Sequence, residues 1–257
     1  MLASTKLTAS ARLIALLSVP VLMLPLLAGC VSKTSTVTHD AAARSSLPRE
    51  TGTIDKQAQA DVSPDAALDR LMEGNRRFVA GQSLHRDYRA QAQATANGQY
   101  PIAVVLSCMD SRSAPEVVFD QGIGDVFVTR VAGNYATADI LGSMEYGTKV
   151  AGAKLIVVMG HTECGAVKGA CDNVQLGNLT TVINAIRPAV EDVKDVGDDR
   201  SSHNKKLLLQ ATQANVRRTL ADIRAKSPIL AELEKSGQLK IVGAMHDITS
   251  GEVTLLK

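Results

Sequence analysis

The sequence has few aromatic residues, few cysteines and almost no excess charge. Phe, Tyr and Trp make up 3% of the 257 residues, and Trp is absent, so a ring-lined surface for stacking bases or sugars is not expected. Four Cys are too few for a disulfide scaffold at this length. The net charge is only +2 and no long run of Lys or Arg occurs, which argues against a nucleic-acid partner.

Hydrophobic residues are abundant, at 45% of the chain, and some of them form an N-terminal signal. Lys6 and Arg12 precede an apolar run over residues 13–27. This run is too short and too interrupted by proline for a membrane-spanning helix, so residues 1–29 predict a secretory signal peptide. The run ends in LAGC, which resembles a bacterial lipobox and implies cleavage before Cys30 and a lipid on its thiol. The alternative is ordinary signal cleavage nearby, with Cys30 incidental.

The segment after the signal predicts a tether. Residues 30–61 are polar, rich in Ser and Thr, and show neither helical nor strand periodicity, which is typical of a disordered linker. We therefore expect an exported protein in the periplasm or at the cell surface, on the outer membrane if the host is Gram-negative. We expect it to contact the membrane only through the lipid on Cys30.

Residues 62–257 have the pattern of one α/β domain. Apolar runs of strand length at 102–107, 126–130 and 155–159 are separated by segments with helical patterning. Strands that are apolar on both faces and alternate with helices predict a mainly parallel central sheet flanked by helices. A final strand pair is expected to be joined at Ser250 and Gly251. Predicted helices cover 141–150, 167–171 and 204–226, and an earlier helix starts at Ser63 and Pro64.

Potential metal ligands follow two of these strands. Cys108 comes directly after the first strand, and His161 and Cys164 come after the third. In open α/β sheets, sites are built at the carboxyl ends of strands. Two Cys and one His form a ligand set that Zn²⁺ takes in catalytic sites with a fourth position open. The alternative is that Cys108 and Cys164 are small core residues, as we expect of Cys171. Ligand chemistry alone leaves both interpretations open.

An acidic and a basic residue accompany the first cysteine. Asp110 could accept a hydrogen bond from metal-bound water, or it could bind the metal itself and close the site. Arg112 would hold Asp110 ionised and orient it, best through a two-pronged contact. The alternative is a surface turn with a weak ion pair.

These residues lie in segments that resemble the β-class carbonic anhydrases. CMDSR at 108–112 and GHTECGAV at 160–167 are similar to the two zinc motifs of that family. The resemblance covers roughly residues 62–256 and implies the family's α/β fold. Four further segments match in the family's order, LMEGNRRF, GDVFVTRVAGN, SMEYG and IVGAMHDITSGEV.

The resemblance implies a zinc enzyme that interconverts CO2 and bicarbonate. One Zn²⁺ per subunit would be held by Cys108, His161 and Cys164, and Asp110 with Arg112 would form a catalytic dyad. Zinc-bound hydroxide would attack CO2 and yield bicarbonate and a proton. In the closed form that the family also has, Asp110 would become a metal ligand.

The resemblance also implies a substrate pocket and self-association. Gln99, Phe127, Tyr146 and Gly165 would bind substrate. The alternative for Phe127 and Tyr146 is that they are ordinary core residues. The family forms such pockets across a dimer interface, so we expect a homodimer or a higher homo-oligomer.

The bicarbonate-regulated branch of the family carries a Trp and a Tyr where this sequence has Val105 and His246. We therefore favour the ordinary open-site type. His246 itself is expected to be a packed strand residue, with a proton relay as the alternative.

Two other functions fit the same motifs. Related enzymes hydrolyse carbon disulfide or carbonyl sulfide with the same zinc ligands, because their specificity depends on access to the site and on pocket shape. A non-catalytic surface lipoprotein with a structural zinc, closed by Asp110 as the fourth ligand, is the other possibility.

Overall fold

Five strands form a single sheet in the computed structural model, which describes residues 52–257. The order across the sheet is β2-β1-β3-β4-β5, with all pairs parallel except the last. The expected α/β fold with a mainly parallel sheet is confirmed, and so is the antiparallel pair at the end of the chain. The strands span Ala103–Ser107 (β1), Val126–Arg130 (β2), Leu155–His161 (β3), Lys240–His246 (β4) and Val253–Leu255 (β5).

Helices cover both faces of this sheet. The helix predicted at Ser63 is confirmed, because the Ser63 side chain accepts a hydrogen bond from the Ala66 amide and Pro64 is the first helical residue. The helices are Lys56–Asp61 (α1), Pro64–Val79 (α2), Tyr88–Ala94 (α3), Pro115–Val118 (α4), Ala138–Glu145 (α5), Gly165–Cys171 (α6), Leu179–Asp192 (α7), Lys205–Lys226 (α8) and Pro228–Lys235 (α9).

Side chains of the central strands alternate between two apolar layers. In β1, Val104 and Leu106 pack into one buried cluster, whereas Ala103 and Val105 pack into the other. Every residue of β1 and β3 is buried, as expected of strands covered by helices on both sides. β2 differs from this expectation because it lies at the edge of the sheet, and its residues are half-buried or exposed.

The folded region begins before residue 62. The composition of residues 56–61 predicts part of a disordered tether, but in the structure these residues form α1. The side chain of Gln59 is buried there and donates hydrogen bonds to the carbonyls of Pro101, at 2.6 Å, and Ala151, at 2.8 Å. Ile54 is also buried in the core. These contacts reach residues far along the chain, so local periodicity does not reveal them.

Several helical segments differ from the pattern-based assignment. The helix expected over 141–150 is regular only to Glu145 and continues as a π-helix over Tyr146–Val150. The assignment also lacks α1, α3, α4, α7 and α9. α7 contains Pro188, which removes a backbone donor. Its apolar face nevertheless buries Ile183 and Ile186.

The signal peptide, the lipidated Cys30 and most of the tether lie outside the described residues, and they stay predictions. Within residues 52–257, no helix is long and apolar enough to cross a bilayer.

The contact between α2 and the end of α4 yields a stability prediction. A Cβ at Gly74 would lie 1.8 Å from the backbone oxygen of Phe119. A backbone atom cannot move aside as a flexible side chain can. Gly74→Ala should therefore lower the free energy of unfolding by about 1–3 kcal/mol, measured by urea denaturation. Glu73→Ala, on the exposed face of the same helix, is the control and should stay within about 0.5 kcal/mol of wild type. Equal urea midpoints for the Gly74 variant and wild type would contradict this packing.

Candidate metal centre

Three buried side chains converge where β1 and β3 end. β1 and β3 are paired in parallel, with Ser107 opposite Met159. Cys108 therefore leaves β1 beside the last residues of β3, which ends at His161. Cys164 follows at the start of α6. The ligand atoms of Cys108, His161 and Cys164 all lie within 4.8 Å of one another.

Hydrogen bonds orient the donor atoms of this cluster. The His161 Nδ1 lies 2.9 Å from the carbonyl oxygen of Thr162, so Nδ1 carries the proton and Nε2 presents its lone pair. Nε2 is buried and has no hydrogen-bond partner among the described residues. The Gly133 amide donates to the Cys108 Sγ at 3.4 Å, which stabilises a thiolate there.

The two thiols share one contact, with the Cys164 Sγ 4.0 Å from the Cys108 Sγ. The hydrogen bond from Cys164 holds the pKa of Cys108 well below its usual value. The same contact, together with burial, raises the pKa of Cys164. Zn²⁺ binds cysteine as the thiolate, so binding of a cation by both sulfurs would release any proton that the pair shares.

The residues fit a zinc ion. Two sulfurs bound tetrahedrally to one zinc at about 2.3 Å each would lie about 3.8 Å apart, close to the observed 4.0 Å. A bound cation would also satisfy the buried Nε2 of His161, whose isolation is otherwise unfavourable. Both cysteines pack within an apolar cluster, as the core interpretation requires. That interpretation does not account for the imidazole beside them.

Asp110 and Arg112 form the two-pronged contact expected from the sequence. The Asp110 Oδ1 accepts from the amide and Nε of Arg112, each at 3.0 Å, and Oδ2 accepts from Nη2 at 2.7 Å. The Arg112 guanidinium holds the pKa of Asp110 far below its usual range, so this carboxylate is ionised. It lies outside the cluster of three ligand atoms, and in this structure it binds Arg112.

Arg130 also contacts this turn, and the sequence analysis assigns it no role. From the end of β2, its Nε donates to the Cys108 carbonyl at 2.9 Å and its Nη2 to the Asp110 carbonyl at 2.5 Å. The sequence signal is a basic residue at the carboxyl end of a strand that neighbours the strand before Cys108.

The loop between His161 and Cys164 is held by ion pairs. Glu163 has a φ of 58°, a conformation that side-chain-bearing residues seldom adopt. Its carboxylate binds Lys168 at 2.5 Å and Lys205 at 2.8 Å. Hydrogen bonds from the two lysines lower the pKa of Glu163 to about 2, and Lys168 has the larger effect. The ion pairs connect the loop to α6 and α8.

The predicted substrate residues separate into two places. Gly165 begins α6 directly after Cys164, with open space where a Cβ would stand. Gln99, Phe127 and Tyr146 instead line one cavity of about 600 Å³, which includes none of the three ligand residues. The rings of Phe127 and Tyr146 lie 6.1 Å apart. Gln99 precedes β1 and Phe127 lies near the start of β2, so this cavity is at the end of the sheet opposite the metal ligands.

Two other predicted residues do not belong to the ligand cluster, although one of them, His246, lies opposite His161 in the β3–β4 register. Cys171 is a half-buried free thiol at the end of α6, outside the cluster. His246 is buried at the end of β4, as expected of a packed strand residue, and its Nδ1 contacts the Ser113 Oγ.

Comparisons with known proteins agree with these motifs. A family model described as carbonic anhydrase matches residues 103–253. Carbonic anhydrase 2 of Mycobacterium tuberculosis is 37% identical over 201 residues, which cover 76% of this chain and 94% of that protein. The carbonic anhydrase of Mycolicibacterium smegmatis is 35% identical over 199 residues, covering 75% and 93%.

Solved structures of the same class share the fold. The β-carbonic anhydrase CcaA has a TM-score of 0.56 and 26% identity, covering 74% of this chain and 95% of that one. The Coccomyxa β-carbonic anhydrase in complex with acetazolamide has a TM-score of 0.57 and 25% identity, covering 74% and 86%. Cys108, His161 and Cys164 all lie within the region that the family model matches, and the chain belongs to the β-class carbonic anhydrases.

Proposed function

We propose that this chain catalyses the reversible hydration of CO2 to bicarbonate and a proton, with one zinc ion held by Cys108, His161 and Cys164. The observation that carries the proposal is the buried cluster of two sulfurs and one unpartnered imidazole nitrogen next to an ionised carboxylate. Three protein ligands leave a fourth tetrahedral position for solvent. When bound, zinc supplies Lewis-acid activation of water at that position.

Asp110 and Arg112 have complementary roles in this proposal. The Asp110 Oδ1 already accepts two hydrogen bonds from Arg112, whereas Oδ2 accepts one. Oδ2 therefore keeps a lone pair that can accept a hydrogen bond from the O–H of the attacking water. Arg112 keeps the carboxylate ionised and fixes the direction of that lone pair, so Asp110 orients the water toward CO2.

A second copy of the chain would complete the pocket. β2 pairs only with β1 among the described strands, and it leaves an open edge. If two β2 strands met antiparallel about a two-fold axis, the amino end of each would lie beside the carboxyl end of the other. Gln99, Phe127 and Tyr146 of one subunit would then approach the metal ligands of its partner. A cavity of about 660 Å³ lies along this edge and is lined in part by Phe127, Val128 and Tyr146. It would accept side chains of a second chain.

An exported location with a lipid on Cys30 also belongs to the proposal, supported by the LAGC tetrapeptide and the apolar run before it. Such a protein would interconvert CO2 and bicarbonate at the cell envelope.

Removal of one ligand should release the metal. The purified full chain, kept reduced, should contain about one zinc per chain by elemental analysis, and Cys108→Ser should contain little or none. Cys171→Ser is the matched control and should retain zinc, since its thiol lies outside the cluster. Absence of zinc from the reduced wild-type protein would contradict the proposed centre.

Asp110→Asn should separate catalysis from metal binding. Loss of the charged acceptor should lower kcat for CO2 hydration by about 100-fold or more, measured by stopped flow, while zinc content stays the same. Asp192→Asn is the control, because Asp192 also pairs with an arginine, Arg218, but on the surface. Loss of zinc from Asp110→Asn would instead mean that Asp110 closes the site as a ligand.

Sulfide release from carbon disulfide without CO2 hydration would favour the other substrate class.

A charge on β2 should disrupt self-association. Val128→Lys places an ammonium group on the open edge, so the sedimentation mass should fall to that of a single chain and turnover should fall with zinc retained. Leu176→Lys adds the same group at a residue that is 67% exposed, and it should change neither property. A wild-type chain that sediments as an active monomer would contradict the shared pocket.

A further inference from the structure

Ser113 and His246 make a buried contact outside the metal cluster. The Ser113 Oγ lies 3.0 Å from the His246 Nδ1. Ser113 is fully buried and His246 is 1% exposed. The two residues lie 133 positions apart in the chain, so this bond connects the turn after β1 to the end of β4.

Ser113 closes the turn that presents Asp110 and Arg112. Its amide donates to the Asp110 carbonyl at 3.0 Å, and within that turn the Arg112 amide donates to the Asp110 Oδ1. Arg130 holds the same turn from the β2 side through the carbonyls of Cys108 and Asp110. Arg130 therefore holds the first part of the turn, and Ser113 holds its last residue.

His246 connects both metal-motif loops. It lies opposite His161 in the β3–β4 register, and its carbonyl accepts from the Thr162 amide at 2.9 Å. The side chain reaches the first loop through Ser113. The other ring nitrogen, Nε2, is buried without a hydrogen-bond partner among the described residues. The contact with Ser113 is therefore the side-chain hydrogen bond that the ring makes among the described residues.

We infer that the Ser113–His246 hydrogen bond is a positioning device, which holds the 110–113 turn so that the Asp110–Arg112 pair keeps its orientation toward the metal cluster. The inference rests on the proposed roles of Asp110 and Arg112. Neither Ser113 nor His246 touches the reacting atoms, and both act through the turn. A buried side-chain bond suits this purpose, since Arg112 is itself largely exposed and receives little support from packing.

The first test measures the turn directly. In the zinc-loaded full chain, hydrogen–deuterium exchange of the peptide covering residues 108–113 should become about 10-fold faster in Ser113→Ala and in His246→Phe. Ser227→Ala is the matched control, because Ser227 is equally buried and bonds Glu145 far from the site. Unchanged exchange in the first two variants would overturn the inference, whether or not the chain hydrates CO2.

The second test measures the consequence for turnover. Ser113→Ala and His246→Phe should lower kcat for CO2 hydration by about 10- to 100-fold, with KM and zinc content unchanged. His246→Asn, which keeps a hydrogen-bonding atom near the position of Nδ1, should restore most of kcat. In an Asp110→Asn background, adding Ser113→Ala should change kcat less than about 2-fold, because both changes act through one carboxylate.

The outcomes of the two tests are distinguishable. Faster exchange with unchanged kcat, or additive losses in the Asp110→Asn background, would overturn the inference and leave the proposed function intact. A wild-type chain that binds zinc and does not hydrate CO2 would overturn the proposed function, and the exchange measurement would then decide whether Ser113 and His246 hold the turn.

Discussion

The in-register parallel pairing of β1 and β3 is the constraint on which the candidate metal centre depends. It places the end of β1 beside the end of β3, so Cys108 and His161 meet although 53 positions separate them. A shift of one residue would move Cys108 by about 3.3 Å and exchange the faces of every side chain in the strand. Both strands are buried on both faces, so packing in two apolar layers fixes this register.

The metal ligands and the Asp110–Arg112 pair are stabilised in different ways. Cys108 and Cys164 belong to an apolar cluster with residues of α6, α7 and α8, so the core that holds the fold also holds the sulfurs. Asp110 and Arg112 lie in a turn where the Arg112 side chain is 56% exposed. Packing contributes little at the exposed Arg112, and side-chain hydrogen bonds from two other strands reach the turn. Arg130 on β2 and His246 on β4 are placed at the strand ends on either side.

The sequence predicts those parts of the site that depend on local pattern. Apolar runs of strand length identify β1, β2 and β3. Strand polarity and ligand chemistry bring forward Cys108, His161 and Cys164 as candidates, and the resemblance of the motifs around them favours a zinc site over core packing. The contacts of Gln59 and the bond between Ser113 and His246 have no such signal, because each joins residues more than 40 positions apart. Periodicity likewise predicts a helix through residue 150, whereas the structure has a π-helix over Tyr146–Val150, where Gly147 lies so close to β1 that a Cβ on it would be 2.6 Å from the Val104 side chain.

The polarity of the sheet separates the predicted pocket residues from the candidate metal ligands within one chain. In a parallel sheet, the carboxyl ends of all strands lie at one end, and residues that precede the strands lie at the other. Gln99 precedes β1, so no rotamer of this side chain can bring it to Cys108 across five strand residues, about 17 Å. A strand that runs in the opposite direction beside β2 reverses this relation. β2 is half-buried or exposed, whereas β1 and β3 are buried, because β2 lies at the edge of the sheet, and the proposed partner strand would cover that edge.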